Sequence, residues 1–240
     1  ALVSGTTYQV RARVQDGGGL WSEYTAWQDF TPTVGPDAPA DVAPSGLQNT
    51  LTPTVSGAYQ QGLGDTEAAF QYEIRQGTIT IYQSGDVATA IATGQAYGTN
   101  NSGDTPSSPP ALQWGTAYSV RMRSKDSNGA YGPWSGYVSF HTNAAPTTPT
   151  NLSPNNNAVT GDTTPTLSWV HNDPDGDAQT KAKIELYDLL ADAYVSGYDP
   201  KELTQATPTH TVTETLDDNP TNHRWRVATM GLAGPGYGPW

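Results

Sequence analysis

The chain has 240 residues, with 23 Asp and Glu against 11 Lys and Arg, a formal net charge of −12, and no cysteine. The acidity argues against a nucleic-acid partner, since binding phosphates needs a basic surface; without disulfides each folded unit must be held by its own apolar core. No apolar run approaches the roughly 20 residues of a membrane span, and an aromatic content of 10%, including seven Trp, argues against disorder.

An internal repeat organises everything else. Gly5-Thr6-Thr7-Tyr8-Gln9-Val10-Arg11-Ala12-Arg13 returns as Gly115-Thr116-Ala117-Tyr118-Ser119-Val120-Arg121-Met122-Arg123, an offset of 110 that continues through Asp16/Asp126, Trp21/Tyr131, Tyr24/Trp134, Trp27/Tyr137 and Phe30/Phe140. A third copy is marked by Trp225-Arg226, which matches Val120-Arg121, and by Tyr237-Gly238-Pro239-Trp240, which matches Tyr131-Gly132-Pro133-Trp134. Earlier in the repeat, Pro53/Pro165, Val55/Leu167, Asp65/Asp177, Tyr72/Ile184 and Ile74/Leu186 share an offset of 112.

In chain order, residues 1–33 read as the last part of one module. Tyr8, Val10, Ala12 and Val14 alternate with polar residues and are expected to point inward; Gly17-Gly18-Gly19 is a hairpin tip, not a phosphate loop, since no helix follows it. Gly35-Pro36-Asp37-Ala38-Pro39 is a linker, short and stiff because proline fixes φ. Residues 34–143 are a complete module. Its 98–110 stretch, Gly98 to Pro110, is long, small and polar, readable as a functional loop or, preferably, as a tolerated insertion; no strand is placed between Val87 and Leu112. Tyr118, Val120 and Met122 alternate with Ser119, Arg121 and Arg123, a half-buried strand. Residues 144–240 follow a second linker, Ala144 to Pro149, and form a third module that stops before its final strand. Thr166–Val170 and Ala182–Tyr187 are strands separated by Asp173-Pro174-Asp175-Gly176-Asp177, which is turn chemistry. Lys181 to Ala193 comes nearest to a helical period, but alternation explains its first half equally well. About seven short strands per roughly 100 residues give all-β, two-sheet sandwiches in tandem, and the chain is expected to be a piece of a longer array.

Leu112-Gln113-Trp114-Gly115-Thr116-Ala117-Tyr118 resembles the L-x-x-G-T-x-Y signature of fibronectin type III domains, an immunoglobulin-like sandwich, and Leu2-Val3-Ser4-Gly5-Thr6-Thr7-Tyr8 matches it as well. The resemblance covers the whole chain. It implies a tyrosine corner before the sixth strand and a Trp on the second strand, present as Trp169 in the third module. The second module has Gly57-Ala58-Tyr59 there, and the third has His223 in place of the corner Tyr.

Six of the seven Arg lie on the three equivalent strands: Arg11 and Arg13, Arg121 and Arg123, Arg224 and Arg226. After the first two strands aromatics recur every third residue, as Trp21, Tyr24, Trp27, Phe30 and as Tyr131, Trp134, Tyr137, Phe140. Three is the polyproline II period, which puts these rings on one side, so guanidinium groups are expected to slot between rings in an exposed cation–π ladder. Trp134-Ser135-Gly136-Tyr137 resembles the W-S-x-W-S box of cytokine receptors, which implies such a ladder. Arg121, Arg123, Tyr131, Trp134 and Tyr137 are either a platform for a glycan or peptide or a purely structural seam; repetition in every module favours the seam.

Asp173, Asp175 and Asp177 could hold Ca²⁺ through oxygen ligands, but Gly176 comes fourth and no Glu closes the loop at twelve, so an acidic turn without a cofactor is the preferred reading. His141, His171, His210 and His223 share no metal-ligand spacing. No G-x-S-x-G and no Cys is present, so two common nucleophile arrangements lack support.

These features imply a non-catalytic structural and adhesive spacer. The D-P-D-G-D turn, the G-P-W-S ends and the lack of Cys resemble bacteriophage and bacterial modules more than animal ones. The first expectation is a tail-associated phage protein (minor tail, tail-tip or fibre), located in the virion, with neighbouring modules, virion subunits and a host-surface glycan as partners. The alternative is a secreted or wall-attached bacterial protein at the extracellular surface, using the modules as spacers or glycan-binding accessories beside an enzyme or adhesin. The modules are expected to line up as a rod of semi-independent units. Residues 34–143 expressed alone should therefore unfold in one cooperative transition by circular dichroism, indifferent to reducing agent, whereas residues 1–33 alone should show no transition.

Overall fold

The computed structural model of the protein describes residues 5–32, 35–61, 64–217, 223–232 and 234–240. Among them are seventeen strands and no helix: β1 (Tyr8–Val10), β2 (Gln28–Phe30), β3 (Ala40–Ala43), β4 (Gly46–Gln48), β5 (Thr54–Ala58), β6 (Glu67–Gln76), β7 (Ile79–Gln83), β8 (Gln95–Ala96), β9 (Ala117–Asp126), β10 (Val138–Thr142), β11 (Thr147–Ser153), β12 (Thr166–Asn172), β13 (Lys181–Asp188), β14 (Ala193–Tyr194), β15 (Lys201–Thr204), β16 (Thr209–Thr211) and β17 (His223–Met230). Contacts divide the chain into two compact units. The first comprises Ala1–Ser45, Thr52–Pro110 and Tyr118–Ser139; the second comprises Gly46–Leu51, Ala111–Ala117 and Phe140–Trp240. The fold is all-β, built from β-sandwiches as the alternating strands of the sequence imply.

In the first unit β6 pairs antiparallel with β7 and β9, Tyr72 standing opposite Met122 and Ile74 opposite Val120. A second sheet runs β3-β5-β8. Val55, Phe70, Tyr72, Ile74, Tyr82, Ile91, Val120 and Met122 form the buried core. The alternation of β9 is the one its sequence predicts: Tyr118, Val120, Met122 and Ser124 are buried and the residues between them are not. A Cβ on Gly57 would lie 3.1 Å from the Ala40 carbonyl, 3.4 Å from Met122 Sδ and 3.5 Å from Ile91 Cδ1. Ile91 and Met122 thus fill the space over Gly57, the position where the third repeat carries Trp169.

The 98–110 stretch is pinned down. The buried Asp104 carboxylate accepts the Gly85 and Asn101 amides at 2.7 and 2.6 Å, and Gln83 and Thr105 exchange both backbone hydrogen bonds, at 2.8 and 2.9 Å. Just before it, β8 is the strand that the sequence leaves unplaced.

In the second unit β10 pairs with β4 in parallel, β11-β12-β16 form one sheet, and β13 pairs antiparallel with β14, β15 and β17. Leu167, Trp169, Ala182, Ile184, Leu186, Tyr198, Val212 and Val227 make its core. Trp169 donates its indole N–H to Gln179 at 2.7 Å, which lets a polar ring edge be buried without cost. Lys181–Asp188 is a strand, so its alternation outweighs the weak helical period. His223 opens β17 opposite Asp188, its Nε2 3.8 Å from that carboxylate, where the signature would have its tyrosine.

Two expectations need correction or restriction. Val10 and Val14, expected to face inward, are 51% and 71% exposed: β1 and β2 pair with each other and have no facing sheet among the described residues. Leu2, Val3 and Ser4 of the first signature, and the boundary between residues 33 and 34, lie outside the described residues.

The repeated Y-G-P-W motif has a backbone role. A Cβ on Gly132 would run into the Pro36 carbonyl oxygen, one on Gly238 into the Pro146 carbonyl oxygen, and one on Gly35 would sit 2.5 Å from the Tyr131 oxygen. Each linker proline therefore packs directly on the main chain of the motif, and only glycine permits that approach. Gly132→Ala and Gly238→Ala should each lower stability by about 1–3 kcal/mol, read as a fall in the denaturant midpoint. Gly136→Ala, whose Cβ would meet nothing within 4 Å, should leave it unchanged.

Candidate functional site

Strand alternation sends Arg121, Arg123 and Lys125 to the outer face of β9. The Tyr131–Tyr137 segment is tied to the same strand at every third residue: Gly132 N–H donates to Ser124 O at 2.9 Å and Ser135 N–H to Met122 O at 2.7 Å, while the Ser135 hydroxyl accepts from Met122 N–H at 3.0 Å. The first repeat does the same with Ser22 and Thr25, whose amides reach Val14 O and Ala12 O at 2.9 Å and whose hydroxyls accept from the amides of those residues at 3.1 Å. With anchors three residues apart, the rings between them share one side.

The rings interleave with cations. Arg123 lies 4.5 Å from the Tyr131 ring and 4.7 Å from Trp134; Arg121 lies 4.8 Å from Trp134 and 4.7 Å from Tyr137. Lys125 and Arg75 extend the stack at the two ends, 4.9 Å from Tyr131 and 4.2 Å from Tyr137. In the first repeat Arg11 sits between Tyr24 and Trp27, and Arg13 between Trp21 and Tyr24, at 4.1 to 4.7 Å. The third repeat keeps Arg226 at 4.7 Å from Trp240 but uses Lys183, 4.2 Å from Tyr237, as its second cation. Arg224 departs from the expected ladder and stacks on Tyr187, 4.7 Å away.

Behind the ladder of the second repeat stands a polar row on and beside the neighbouring strand β6. Buried Glu73 accepts from Arg121 Nε at 2.7 Å and Nη2 at 2.5 Å, from Arg75 Nε at 3.3 Å, and from the Thr80 hydroxyl. Gln71 Oε1 accepts from Arg123 Nε and Nη2 at 2.9 and 2.7 Å. Asp86 accepts from Lys125 at 2.7 Å and from the Tyr131 hydroxyl at 2.5 Å. Burial pushes the Glu73 carboxyl up, but Thr80 and Arg121 outweigh it and hold the group below its ordinary value of 4.5. Asp86 is lowered in the same way, its burial overcome by Lys125, Tyr131 and Gln71. The third repeat copies the key pair: Glu185 stands opposite Arg226, as Glu73 does opposite Arg121, and accepts from it at 2.6 Å. Glu73 and Glu185 share the offset of 112 with the apolar residues on either side of them, so the sequence carried this signal unread.

Arg121, Arg123, Tyr131, Trp134 and Tyr137 are thus brought together as a ladder. Trp134 has a guanidinium over it from each side, so a ligand approaching this ring would meet occupied faces.

The three aspartates meet a different set of partners, all within the second unit. Asp173 Oδ1 accepts the amides of Asp175 and Asp177 at 2.8 and 3.2 Å, a local turn. Asp175 Oδ2 accepts Ala144 N–H at 2.7 Å, and its Oδ1 lies 3.3 Å from His141 Nε2. Asp177 Oδ2 accepts from Asn143 Nδ2 at 2.7 Å, and that amide nitrogen also donates to Asn49 at 2.9 Å. The turn thereby grips the Asn143–Ala144 joint between the second and third repeats. Among the described residues no group of three or more His, Asp or Glu is arranged to hold a metal ion, and no helix is long and apolar enough to cross a membrane.

No protein-family model matches the chain and no curated protein matches it. Similar solved structures are the FN1–FN3 domains of chicken CNTN1 and two α-L-rhamnosidases. The CNTN1 domains have a TM-score of 0.37 at 17% identity, over 99% of this chain and 73% of that one. The rhamnosidase from Dictyoglumus thermophilum has a TM-score of 0.36 at 11% identity, over 81% and 25% of the two chains. The one from Streptomyces avermitilis, complexed with L-rhamnose, has a TM-score of 0.34 at 14% identity, over 85% and 22%.

Arg121→Ala strips Glu73 of its main partner and should lower stability by about 1.5–3 kcal/mol, whereas Arg123→Ala, facing neutral Gln71, should cost about 0.5–1.5 kcal/mol. Because the folded Glu73 carboxyl titrates below its ordinary 4.5, its contribution is complete above that pH and is lost as pH falls beneath it. Denaturation midpoints measured down the acid side should fall less steeply for Glu73→Gln than for the native chain.

Proposed function

We propose that the chain is a non-catalytic structural array whose repeats act as spacers, carried in the tail of a bacteriophage virion as part of a minor tail, tail-tip or fibre protein. The observation that carries the structural role is the ladder with its carboxylate backing. In the second repeat the cations, the large surface rings and buried Glu73 are committed to one another, leaving Trp134 no open face. The D-P-D-G-D turn serves the same end, with its carboxylates engaged at the joint between two repeats, and we assign it a joining role without a metal. The virion placement starts from the resemblance of that turn, the G-P-W-S ends and the cysteine-free composition to bacteriophage and bacterial modules, of which we choose the former. The partners in this reading are neighbouring modules and virion subunits, with a host-surface glycan at the far end of the array.

Antibody raised against residues 34–143 and visualised by immunogold electron microscopy should label the tails of virions released from the host that makes this protein. Label confined to cell walls or to the medium would overturn the virion placement and move the spacer to a bacterial surface protein.

A further inference from the structure

Tyr198 joins the two sheets of the third repeat from inside the core. Its carbonyl accepts the Leu186 amide of β13 at 3.3 Å, and its side chain is fully buried. Its hydroxyl reaches the other sheet, where it lies 2.8 Å from His210 Nε2 on β16 and accepts the Thr213 amide at 3.0 Å. β16 is a three-residue strand at the edge of that sheet, with Leu167 of β12 opposite His210. So short an edge strand has few ladder bonds of its own, and the Tyr198 hydroxyl supplies a tie from the opposite side.

That tie needs a neutral imidazole. With the Thr213 N–H donated to it, the Tyr198 oxygen sends its own proton to the nearer acceptor: His210 Nε2 is at 2.8 Å, whereas Thr213 Oγ1 is at 3.5 Å and already accepts from Lys201 Nζ at 3.2 Å. His210 therefore carries its hydrogen on Nδ1. A proton added at Nε2 would set two donors against each other. The surroundings oppose the charge as well. Lys201 Nζ sits 4.6 Å from the Tyr198 ring, β12 presents only Thr166, Leu167 and Ser168 to β16, and Glu202, next along β15, is turned to Lys181 and Lys183 at 3.0 and 3.7 Å. Burial, and then the Lys201 charge, hold the imidazole below its ordinary 6.5. His141 and His223 differ: each lies beside a carboxylate, Asp175 at 3.3 Å and Asp188 at 3.8 Å, which would receive its charge.

We propose that the Tyr198–His210–Thr213 contact is an acid-released latch: protonation of His210 uncouples β16 from Tyr198 and lets this edge strand open while β13 and β17 stay paired. The device belongs to the core of the third repeat and is independent of the virion placement. Its sign follows from linkage. A base that binds its proton less readily in the closed state than in the open one contributes fully above 6.5, and that contribution fades as pH falls below it.

Hydrogen exchange of the 240-residue chain at pH 7.5 and 5.5, read by mass spectrometry and referred at each pH to the rates of the unfolded chain, tests the latch. Protection of peptides covering β16 should fall by up to about tenfold at the lower pH, while peptides from β13 and β17 keep theirs. In His210→Gln, which retains a polar side chain without a titration, β16 should be equally protected at both values. The native chain gives a second measurement, since the His210 ring resonances should titrate below 6.5. No fall at β16, the same fall in His210→Gln, an equal fall in β13 and β17, or a His210 titration at or above 6.5 would each overturn the proposal.

Discussion

A planar guanidinium between two aromatic faces solves a problem that every repeat shares. The outer face of β9 carries three long cations in a row, and the segment after it carries large rings without a core to bury them. Stacking lets each use the other: the ring covers the arginine stem, and the cation sits over the face of the ring's quadrupole. Arginine suits the role better than lysine, because its plane can stack while its edge donates in a fork. In Arg121 both happen at once, rings on its faces and Glu73 at its edge. The stacking orients the guanidinium, and the buried carboxylate makes that orientation hard to give up, since a stranded Glu73 would be costly.

The carboxylate also ties the ladder to the sheet. Glu73 lies on β6, in the same strand as core residues Tyr72 and Ile74, one residue away on either side. A surface seam is thereby registered against the core, and the polyproline-like segment cannot slide without breaking both. The hydroxyls of Ser22, Thr25 and Ser135 add to this. Each turns a position between two rings into an anchor on the strand, which is what fixes the spacing of three.

The joints follow a second constraint, close approach of main chain to main chain. Linker prolines press on Gly132 and Gly238, and the Asp173–Asp177 turn takes up the backbone and side chains at Asn143–Ala144. Acidic residues here are not loose solvating charge. Asp177 accepts a hydrogen bond from Asn143 of the preceding repeat and Asp175 one from Ala144 of the linker, so part of the chain's negative excess is spent on joining.

Much of this was legible in the residues themselves. The period of two in Tyr118–Met122 and the period of three in Tyr131–Phe140 each report a local backbone geometry, so the strand and the ladder beside it could be read directly. Tandem sandwiches followed from the offset of 110, since a repeated sequence must repeat its fold. Tertiary structure alone decided the rest, because the deciding contacts lie between segments far apart in sequence. Ile91 rather than a Trp fills the space over Gly57; Asp104 pins a loop that composition marks only as polar; Glu73 and Glu185 find their arginines across a strand pair; and Arg224 turns to Tyr187 because that ring is its cross-strand neighbour. Val10 and Val14 show the limit from the other side. Their alternation states that one face wants burial, but whether a sheet lies against that face depends on partners the local pattern does not name.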